Sequence, residues 1–181
     1  MEINKDVEKI LVSKEEIKEV CQRLGKQISE DYKDKKLLLV SVLKGSVVFL
    51  ADLMREITCD CEIDFMAVSS YSGTKTTGVV KFKKDMDVDP DGQDILIVED
   101  ILDSGITLSY LKKVLIDRNA ASVKVCAFLD KPANRQTDIK AEYVGAVVPD
   151  EFIIGYGLDY NEKYRNLPYV GVLKREVYAG K

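Results

Sequence analysis

The chain has 181 residues, about the length of one domain, and its 27 Lys and Arg against 31 Asp and Glu give a formal net charge of −4. It contains no histidine, which excludes a Ser-His-Asp or Cys-His nucleophile and any zinc or haem site with a histidine ligand. The negative balance gives no general attraction to nucleic acid or to an anionic membrane, and no apolar run is long enough to cross a bilayer, so we expect neither as a partner.

The cysteines and the N-terminal residues predict a cytoplasmic location. Cys21, Cys59, Cys61 and Cys126 do not form a C-x-x-C pair, and we interpret them as reduced thiols. The first residues, Met1–Asp6, are charged and contain no apolar signal segment.

Helices and strands alternate along the chain. The first predicted helix covers Ser13–Tyr32 and begins with a capping box between Ser13 and Glu16. The apolar run Leu37–Leu43 predicts a strand that is buried on both faces. The remaining predicted elements are a helix over Val47–Ile57, strands over Glu62–Ser69 and Val79–Lys84, an acidic turn over Asp85–Gly92, a strand over Ile95–Val98, a helix over Leu108–Arg118, and strands over Val123–Leu129 and Tyr143–Val148. This order predicts an α/β fold with a mostly parallel sheet flanked by helices, in a single domain over residues 1–181.

Acidic and hydroxyl residues follow the predicted strand Ile95–Val98. Glu99 and Asp100 come directly after it, and Asp103–Thr107 leads into the next helix. Ligands of open α/β sheets bind at the carboxyl ends of the strands, and backbone amides that open a helix bind anions. The segment contains no G-x-x-x-x-G-K-[ST] motif, which argues against an NTPase.

These residues suit a sugar phosphate. Carboxylates accept hydrogen bonds from vicinal hydroxyls, while the amides and hydroxyls of Ser104–Thr107 offer a phosphate site. A ribose 5-phosphate fits both features. The same residues also fit a strand with acidic residues at its solvated end followed by a Ser/Thr helix cap, and the residues alone leave both interpretations open.

The segment Val98–Thr107, VEDILDSGIT, resembles the phosphoribosyl diphosphate signature of the type I phosphoribosyltransferase family. Four other segments resemble, in the family's order, its 6-oxopurine branch, the hypoxanthine(-guanine) phosphoribosyltransferases: Leu43–Ser46, Ser69–Gly73, Leu129–Pro132 and Val148–Glu162. The resemblance covers nearly the whole chain. It implies a type I phosphoribosyltransferase-like fold, in which a small hood built from N-terminal and C-terminal segments covers the base site.

The resemblance also implies an activity. The chain would transfer the 5-phosphoribosyl group from 5-phosphoribosyl 1-pyrophosphate to hypoxanthine, and to guanine, giving IMP or GMP and pyrophosphate in purine salvage. Three alternatives stay open on the same fold: a xanthine-preferring enzyme, a pyrimidine phosphoribosyltransferase, and a nucleotide-sensing regulator that binds RNA. The family further suggests a homo-oligomer, either a dimer or a tetramer.

Residue by residue, the resemblance places the phosphoribosyl group on the acidic segment. Glu99 and Asp100 would hold the ribose hydroxyls, and Asp103 would face the purine N7 as the general acid/base. The 5-phosphate would bind to Ser104, Gly105, Ile106 and Thr107.

The resemblance assigns pyrophosphate to other segments. Lys44 and Gly45 would bind it, in a region that often contains a cis peptide bond in the family, and Arg165 would contact it too. Ser70 and Tyr71 would lie on a loop that closes over the reaction. Without the resemblance, Lys44-Gly45 also fits a strand-to-helix turn, and Arg165 a solvated charge.

The purine and the metal complete the implied site. Lys131 would donate to the purine 6-oxo group, Phe152 would stack on the base, and Ile153 would present its backbone to it. Asp159, next to the base, would coordinate Mg²⁺ together with Glu99 and Asp100. Without the resemblance, Lys131 also fits a turn lysine and Phe152 a core aromatic.

Overall fold

The computed structural model describes residues 4–70 and 80–179 of the chain. Their helices and strands are, in chain order, β1 (Val7–Val12), α1 (Lys14–Asp31), β2 (Leu37–Leu43), α2 (Val47–Glu56), β3 (Cys61–Ser70), β4 (Val80–Lys84), β5 (Asp94–Leu102), α3 (Ile106–Asp117), β6 (Ser122–Asp130), β7 (Tyr143–Val147), β8 (Ile153–Ile154), β9 (Val170–Leu173) and α4 (Arg175–Tyr178). None of the helices in this part of the chain is both long and apolar enough to cross a membrane.

The larger sheet has six strands in the order β4-β3-β2-β5-β6-β7. The five strands from β3 to β7 in this order run parallel, and β4 pairs antiparallel with β3. The chain moves from β2 to β3 on one side and later returns to β5 on the other. The strand order therefore reverses between β2 and β5, which is where ligands bind in open α/β sheets.

Helices cover both faces of this sheet, which confirms the predicted α/β fold. In β2, Leu37 and Leu39 pack into the core beneath α1 and α2, while Leu38 and Val40 pack on the opposite face, beneath α3. A strand with two buried faces has to be apolar throughout, which explains the continuous run.

The predicted N-terminus of α1 is confirmed. The Ser13 hydroxyl accepts a hydrogen bond from the Glu16 amide at 3.2 Å, and the Glu16 carboxylate accepts one from the Ser13 amide at 2.7 Å. These reciprocal bonds satisfy two amides that the helix itself leaves unpaired.

A second, antiparallel sheet has three strands in the order β1-β9-β8. We call this sheet, with the loop between β8 and β9, the hood. Its own core contains Val7, Ile154, Tyr169 and Leu173. The sequence predicted none of these strands individually: β8 has only two residues, and β1 and β9 are stabilised by pairing with each other across the length of the chain.

Two element boundaries differ from the prediction in a way that matters for the site. β5 continues past Val98 to Leu102, so Glu99 and Asp100 lie within the strand instead of after it. α3 begins at Ile106, two residues before the predicted start. Pairing with β6 extends β5, because Glu99 and Leu102 both have partners on that strand.

Candidate active site

The candidate site residues lie at the carboxyl edge of the larger sheet and in the hood. We call residues 99–107 the phosphoribosyl segment; it contains the end of β5, a turn and the start of α3. We call residue 131 together with residues 150–165 the base segment; it follows β6 and β7 and enters the hood. Residues 44 and 45 follow β2, so parallel strand pairing brings three chain segments to one edge.

A cleft of about 140 Å³ opens along the phosphoribosyl segment. Its lining residues are Glu99, Ile101, Leu102, Asp103, Ser104, Gly105, Thr107 and Leu108. The cleft thus combines two of the predicted carboxylates with most of the predicted phosphate-binding residues.

The carboxylates of this segment are largely buried. Oε2 of Glu99 and Oδ1 of Asp103 have no hydrogen-bond partner within residues 4–70 and 80–179. Burial, with a smaller contribution from Asp100, raises the pKa of Glu99 well above its ordinary value. Burial also raises the pKa of Asp100 to about 6, although the Ile101 amide and the Arg165 charge oppose this shift. Buried acceptors without partners are a costly arrangement unless a ligand supplies donors or a cation.

The turn that follows these carboxylates is shaped for an anion. Gly105 precedes α3 with φ of 80°, a left-handed conformation that favours glycine. The Ile106 amide reaches the Ser104 hydroxyl at 3.5 Å. The first amides of a helix have no intrahelical acceptor and lie at the positive end of its dipole, so the start of α3 offers donors to a phosphate.

Lys44 and Gly45 lie beside this segment. The peptide bond between Leu43 and Lys44 is cis. A Cβ atom on Gly45 would overlap the Asp100 carboxylate, so only glycine allows the backbone to come this close. The Lys44 ammonium is exposed and forms an ion pair with Glu162 at 3.2 Å.

Arg165 and Asp159 form a pair in the hood. The Arg165 guanidinium contacts the Asp159 carboxylate at 2.8 Å and donates to the Gly157 carbonyl at 2.7 Å. It also lies 3.4 Å from Glu162. Its Nε is buried and has no hydrogen-bond partner in the described part of the chain.

Lys131 and Phe152 are placed differently from one another. The side chain of Lys131 is 11% exposed; its ammonium pairs with Asp150 at 2.9 Å and donates to the Glu151 carbonyl at 3.1 Å. Phe152 is 38% exposed, with its ring stacked on Tyr178 at a centroid distance of 4.9 Å. Phe152 is therefore not a core aromatic, and Lys131 is not a freely solvated turn lysine.

Of the remaining predicted residues, one lies in the hood and one at the end of β3. Ile153 is buried in β8, where its backbone pairs with Val172 of β9. Ser70 is the last residue of β3. Tyr71, predicted on the closing loop, lies outside the described residues.

Two residues of this region were not predicted. Asp150 is the carboxylate that pairs with Lys131, and Arg135 donates to the backbone of Asp103 at 2.8 Å. Asp150 lies within the segment Val148–Glu162 that carries the resemblance, but no role was assigned to it there; Arg135 lies outside the resembling segments, so the sequence contains no signal for it.

Among the described residues, no group of three or more Cys, Asp or Glu side chains is arranged to hold a metal ion by itself. The residues nevertheless fit Mg²⁺ bound jointly with a substrate. Glu99 has a buried oxygen without a partner next to Asp100, and Mg²⁺ takes oxygen ligands, keeps several waters and commonly uses one or two carboxylates with substrate phosphates.

Comparisons with known proteins agree with this geometry. The family model described as "Phosphoribosyl transferase domain" matches residues 9–161. The chain is 49% identical to the hypoxanthine-guanine phosphoribosyltransferase of Staphylococcus epidermidis over 98% of this chain and 99% of that protein. It is 52% identical to the enzyme of the same name from Bacillus subtilis over 96% and 97% of the two chains.

Solved structures give the same result. A hypoxanthine phosphoribosyltransferase from Staphylococcus aureus superposes with a TM-score of 0.94 at 47% identity, covering 98% of this chain and 99% of that one. The Trypanosoma cruzi hypoxanthine phosphoribosyl transferase gives a TM-score of 0.94 at 39% identity, over 99% and 97%. The chain belongs to the phosphoribosyltransferase family, within its hypoxanthine-guanine branch.

Proposed function

We propose that this chain catalyses purine salvage by transferring the 5-phosphoribosyl group of 5-phosphoribosyl 1-pyrophosphate to hypoxanthine and guanine, with release of pyrophosphate. The observation that carries this proposal is the cleft along residues 99–107. It brings buried carboxylate oxygens of Glu99 and Asp103 that lack protein partners next to the open amides of α3. Sugar hydroxyls and a phosphate supply the donors and the charge that such a cleft needs.

The phosphoribosyl segment binds and orients the donor in this proposal. Glu99 and Asp100 accept hydrogen bonds from the ribose hydroxyls, and Ser104 to Thr107 bind the 5-phosphate through amides and hydroxyls. Asp103, between them, faces N7 of the incoming purine and exchanges the proton there. A positioned general acid/base contributes typically ~10²–10⁴-fold to a rate.

The leaving pyrophosphate carries several negative charges, which must be stabilised as the bond to C1 of ribose breaks. In this proposal, Lys44, the Gly45 backbone and Arg165 bind the pyrophosphate. Lys44 and Arg165 both contact Glu162, at 3.2 and 3.4 Å, which supports assigning them to one anion. Ser70 and Tyr71 are proposed to close over it and exclude water from the developing positive charge on the ribose.

The base segment selects the purine. The Lys131 ammonium has three N–H donors, of which two bind Asp150 and the Glu151 carbonyl. The third donor remains for the 6-oxo oxygen of a purine. The exposed ring of Phe152 offers a stacking surface for the base. We propose that the Ile153 backbone and Asp159 also contact the base.

Glu99, Asp100 and Asp159 are the residues that would hold Mg²⁺ with the substrate. When bound, the ion would neutralise negative charge on the pyrophosphate as it leaves. Asp159 is bound to Arg165 at 2.8 Å, so it has to exchange this partner before it contributes a ligand or a water-mediated contact.

We also propose a cytoplasmic homo-oligomer. All four cysteines are free, as suits a reducing compartment. Val47 and Met54, two turns apart on α2, are 39% and 37% exposed and supply apolar area to a partner subunit.

Steady-state kinetics with hypoxanthine, guanine, xanthine and uracil would test the function. We expect the highest kcat/KM with hypoxanthine or guanine. A preference for xanthine or uracil would contradict the proposed substrate class, and tight nucleotide binding without pyrophosphate release would favour a regulatory protein.

A further inference from the structure

One arginine beneath the phosphoribosyl segment connects it to the neighbouring strand. Arg135 lies in the loop that follows β6, and its side chain is 17% exposed. Its Nε donates to the Asp103 carbonyl at 2.8 Å, and Nη2 donates to the Leu102 carbonyl at 3.0 Å. Nη1 donates to the Ile139 carbonyl at 2.9 Å, and the Asp130 carboxylate pairs with Nη2.

The two carbonyls on the phosphoribosyl segment belong to consecutive residues. Bonds to both fix the two peptide planes that flank the Cα atom of Asp103, and these planes set the direction of its side chain. Oδ1 of Asp103 is buried without a partner in the described part of the chain. The backbone therefore has to hold this carboxylate in place. The Lys131 amide also donates to the Leu102 carbonyl, at 3.0 Å, whereas the donor to the Asp103 carbonyl is Arg135.

The loop that carries Arg135 also supports the phosphate turn. The Gln136 amide donates to the Ser104 carbonyl at 2.9 Å. A Cβ atom on Gly105 would lie 2.7 Å from Ile139, which shows how closely the turn rests on this loop. Residues 135–139 thus form a floor under both the general acid/base and the phosphate site.

Only arginine can make this set of bonds. Its planar guanidinium carries five N–H donors that point in different directions, so it serves three carbonyls and a carboxylate at once. A lysine at this position keeps the positive charge opposite Asp130 but has three donors on a single atom. A lysine substitution therefore separates the charge of Arg135 from its geometry.

We propose that Arg135 is a positioning residue for phosphoribosyl transfer, acting through the backbone of Leu102 and Asp103 without touching either substrate. The inference rests on the proposed function. A misplacement of about 1 Å at the reacting groups can reduce a rate on the order of 100-fold. A purely structural arginine would instead change the folded fraction and leave the turnover of the folded enzyme unchanged.

The test compares Arg135→Lys with Arg118→Lys in the full chain. Arg118 is a matched control because it also binds a carboxylate with two donors, at 2.9 and 2.7 Å to Asp85, outside the candidate site. Initial rates are measured per mole of folded protein, with the folded fraction taken from circular dichroism. Arg135→Gln, which keeps a planar group with two donors, is measured in parallel. The test can then be decided even if only one of the two Arg135 variants folds.

We expect kcat to fall about 10- to 100-fold in the Arg135 variants. KM for hypoxanthine should change by less than about two-fold, because Asp150 and the Glu151 carbonyl hold the Lys131 ammonium and Arg135 does not contact it. Arg118→Lys should keep the parental kcat. An unchanged kcat per folded molecule in the Arg135 variants would overturn the inference. Failure of the unsubstituted chain to form nucleotide would instead overturn the proposed function.

Discussion

The two sides of the candidate site satisfy their charged groups differently. On the phosphoribosyl segment, Glu99 and Asp103 each have a buried oxygen without a partner among the described residues. On the base segment, the cations already have partners: Lys131 pairs with Asp150, and Arg165 pairs with Asp159. The first side therefore offers acceptor oxygens directly to a ligand. On the second side the cations are held in ion pairs, and they offer a ligand only the third donor of Lys131 and the Nε of Arg165, which has no partner in the described part of the chain.

This difference predicts how each side responds to change. Removing a group from the phosphoribosyl segment takes away an interaction that only the substrate or its cation completes, so the loss falls on catalysis. Removing a partner on the base segment frees a charged group, so affinity can change in either direction. The five predictions below test this contrast, from the largest expected effect to the smallest.

Removal of Mg²⁺ is expected to have the largest effect. Without Mg²⁺, only the cations of Lys44 and Arg165 offset the negative charges of the donor and of the carboxylates of Glu99 and Asp100. Excess EDTA should abolish nucleotide formation in an assay of initial rates, and excess Mg²⁺ should restore it. Ca²⁺ should restore little, because it takes more ligands at longer distances than compact octahedral Mg²⁺. A full rate in chelator would contradict the prediction.

Asp103→Asn should lower kcat by ~10²–10⁴-fold, since it keeps the shape of the turn but removes the proton acceptor. KM for the phosphoribosyl donor should change little, because the phosphate turn is intact. Asp91→Asn, an exposed residue of the turn before β5, is the control and should keep the parental rate. Unchanged turnover in Asp103→Asn would remove this residue from the mechanism.

Lys131→Ala should weaken the use of hypoxanthine and leave the poor use of adenine nearly unchanged. A hydrogen bond to a charged group contributes roughly 1.5–3 kcal/mol, or about 10- to 150-fold, and an ammonium has no acceptor to offer a 6-amino group. The quantity to measure is the ratio of the two kcat/KM values.

Asp150→Asn is the matched control for Lys131. It removes an ion pair whose carboxylate side chain is 57% exposed and leaves the ammonium in place. This variant should keep the parental hypoxanthine-to-adenine ratio. If Lys131→Ala keeps it as well, Lys131 does not select the base.

The pH dependence of stability should reveal the burial of the Asp100 carboxylate. Its folded-state pKa of about 6 lies above the ordinary value near 3.8, so the folded state takes up a proton first as the pH falls. In the presence of EDTA, lowering the pH from about 7.5 to about 5.5 should therefore stabilise the parent by about 1 kcal/mol relative to Asp100→Asn. Urea unfolding at the two pH values measures this difference. If the parent instead loses stability relative to Asp100→Asn, the pKa of Asp100 is lowered in the folded state and the prediction is wrong.

Glu162→Gln should produce the smallest effect, a gain. Glu162 lies 3.2 Å from Lys44 and 3.4 Å from Arg165, so it competes with pyrophosphate for both cations. Exposed ion pairs contribute little, so we expect the affinity for pyrophosphate to rise only about two- to five-fold in titration calorimetry. Glu142→Gln, whose partner Lys112 lies on α3 outside the candidate site, is the control. Weaker binding by Glu162→Gln would contradict internal competition.

The sequence predicted the parts of the site that depend on local structure and missed those that depend on tertiary contacts. The phosphoribosyl segment is a strand, a turn and a helix in consecutive residues, so local patterns were sufficient to locate it. The partners of Lys131 and the floor under Asp103 could not be predicted, because Asp150 and Arg135 reach the site through tertiary contacts.

Burial within β3 also could not be predicted from the local sequence. Alternation predicted this strand, yet Ile63 is 43% exposed and Asp64 only 4%. Asp64 is satisfied by the amides of Asp87 and Val88 at 2.7 and 2.8 Å. Such bonds form only once the turn after β4 packs against the strand, so the local pattern could not reveal them.

The most direct test of the account is the stoichiometry of the reaction. The unsubstituted chain is mixed with hypoxanthine, 5-phosphoribosyl 1-pyrophosphate and Mg²⁺, and IMP and pyrophosphate are measured over time. The account predicts that both products appear in equal amounts and that omission of hypoxanthine stops their formation. Binding of the donor without formation of either product, or release of pyrophosphate without IMP, would contradict it.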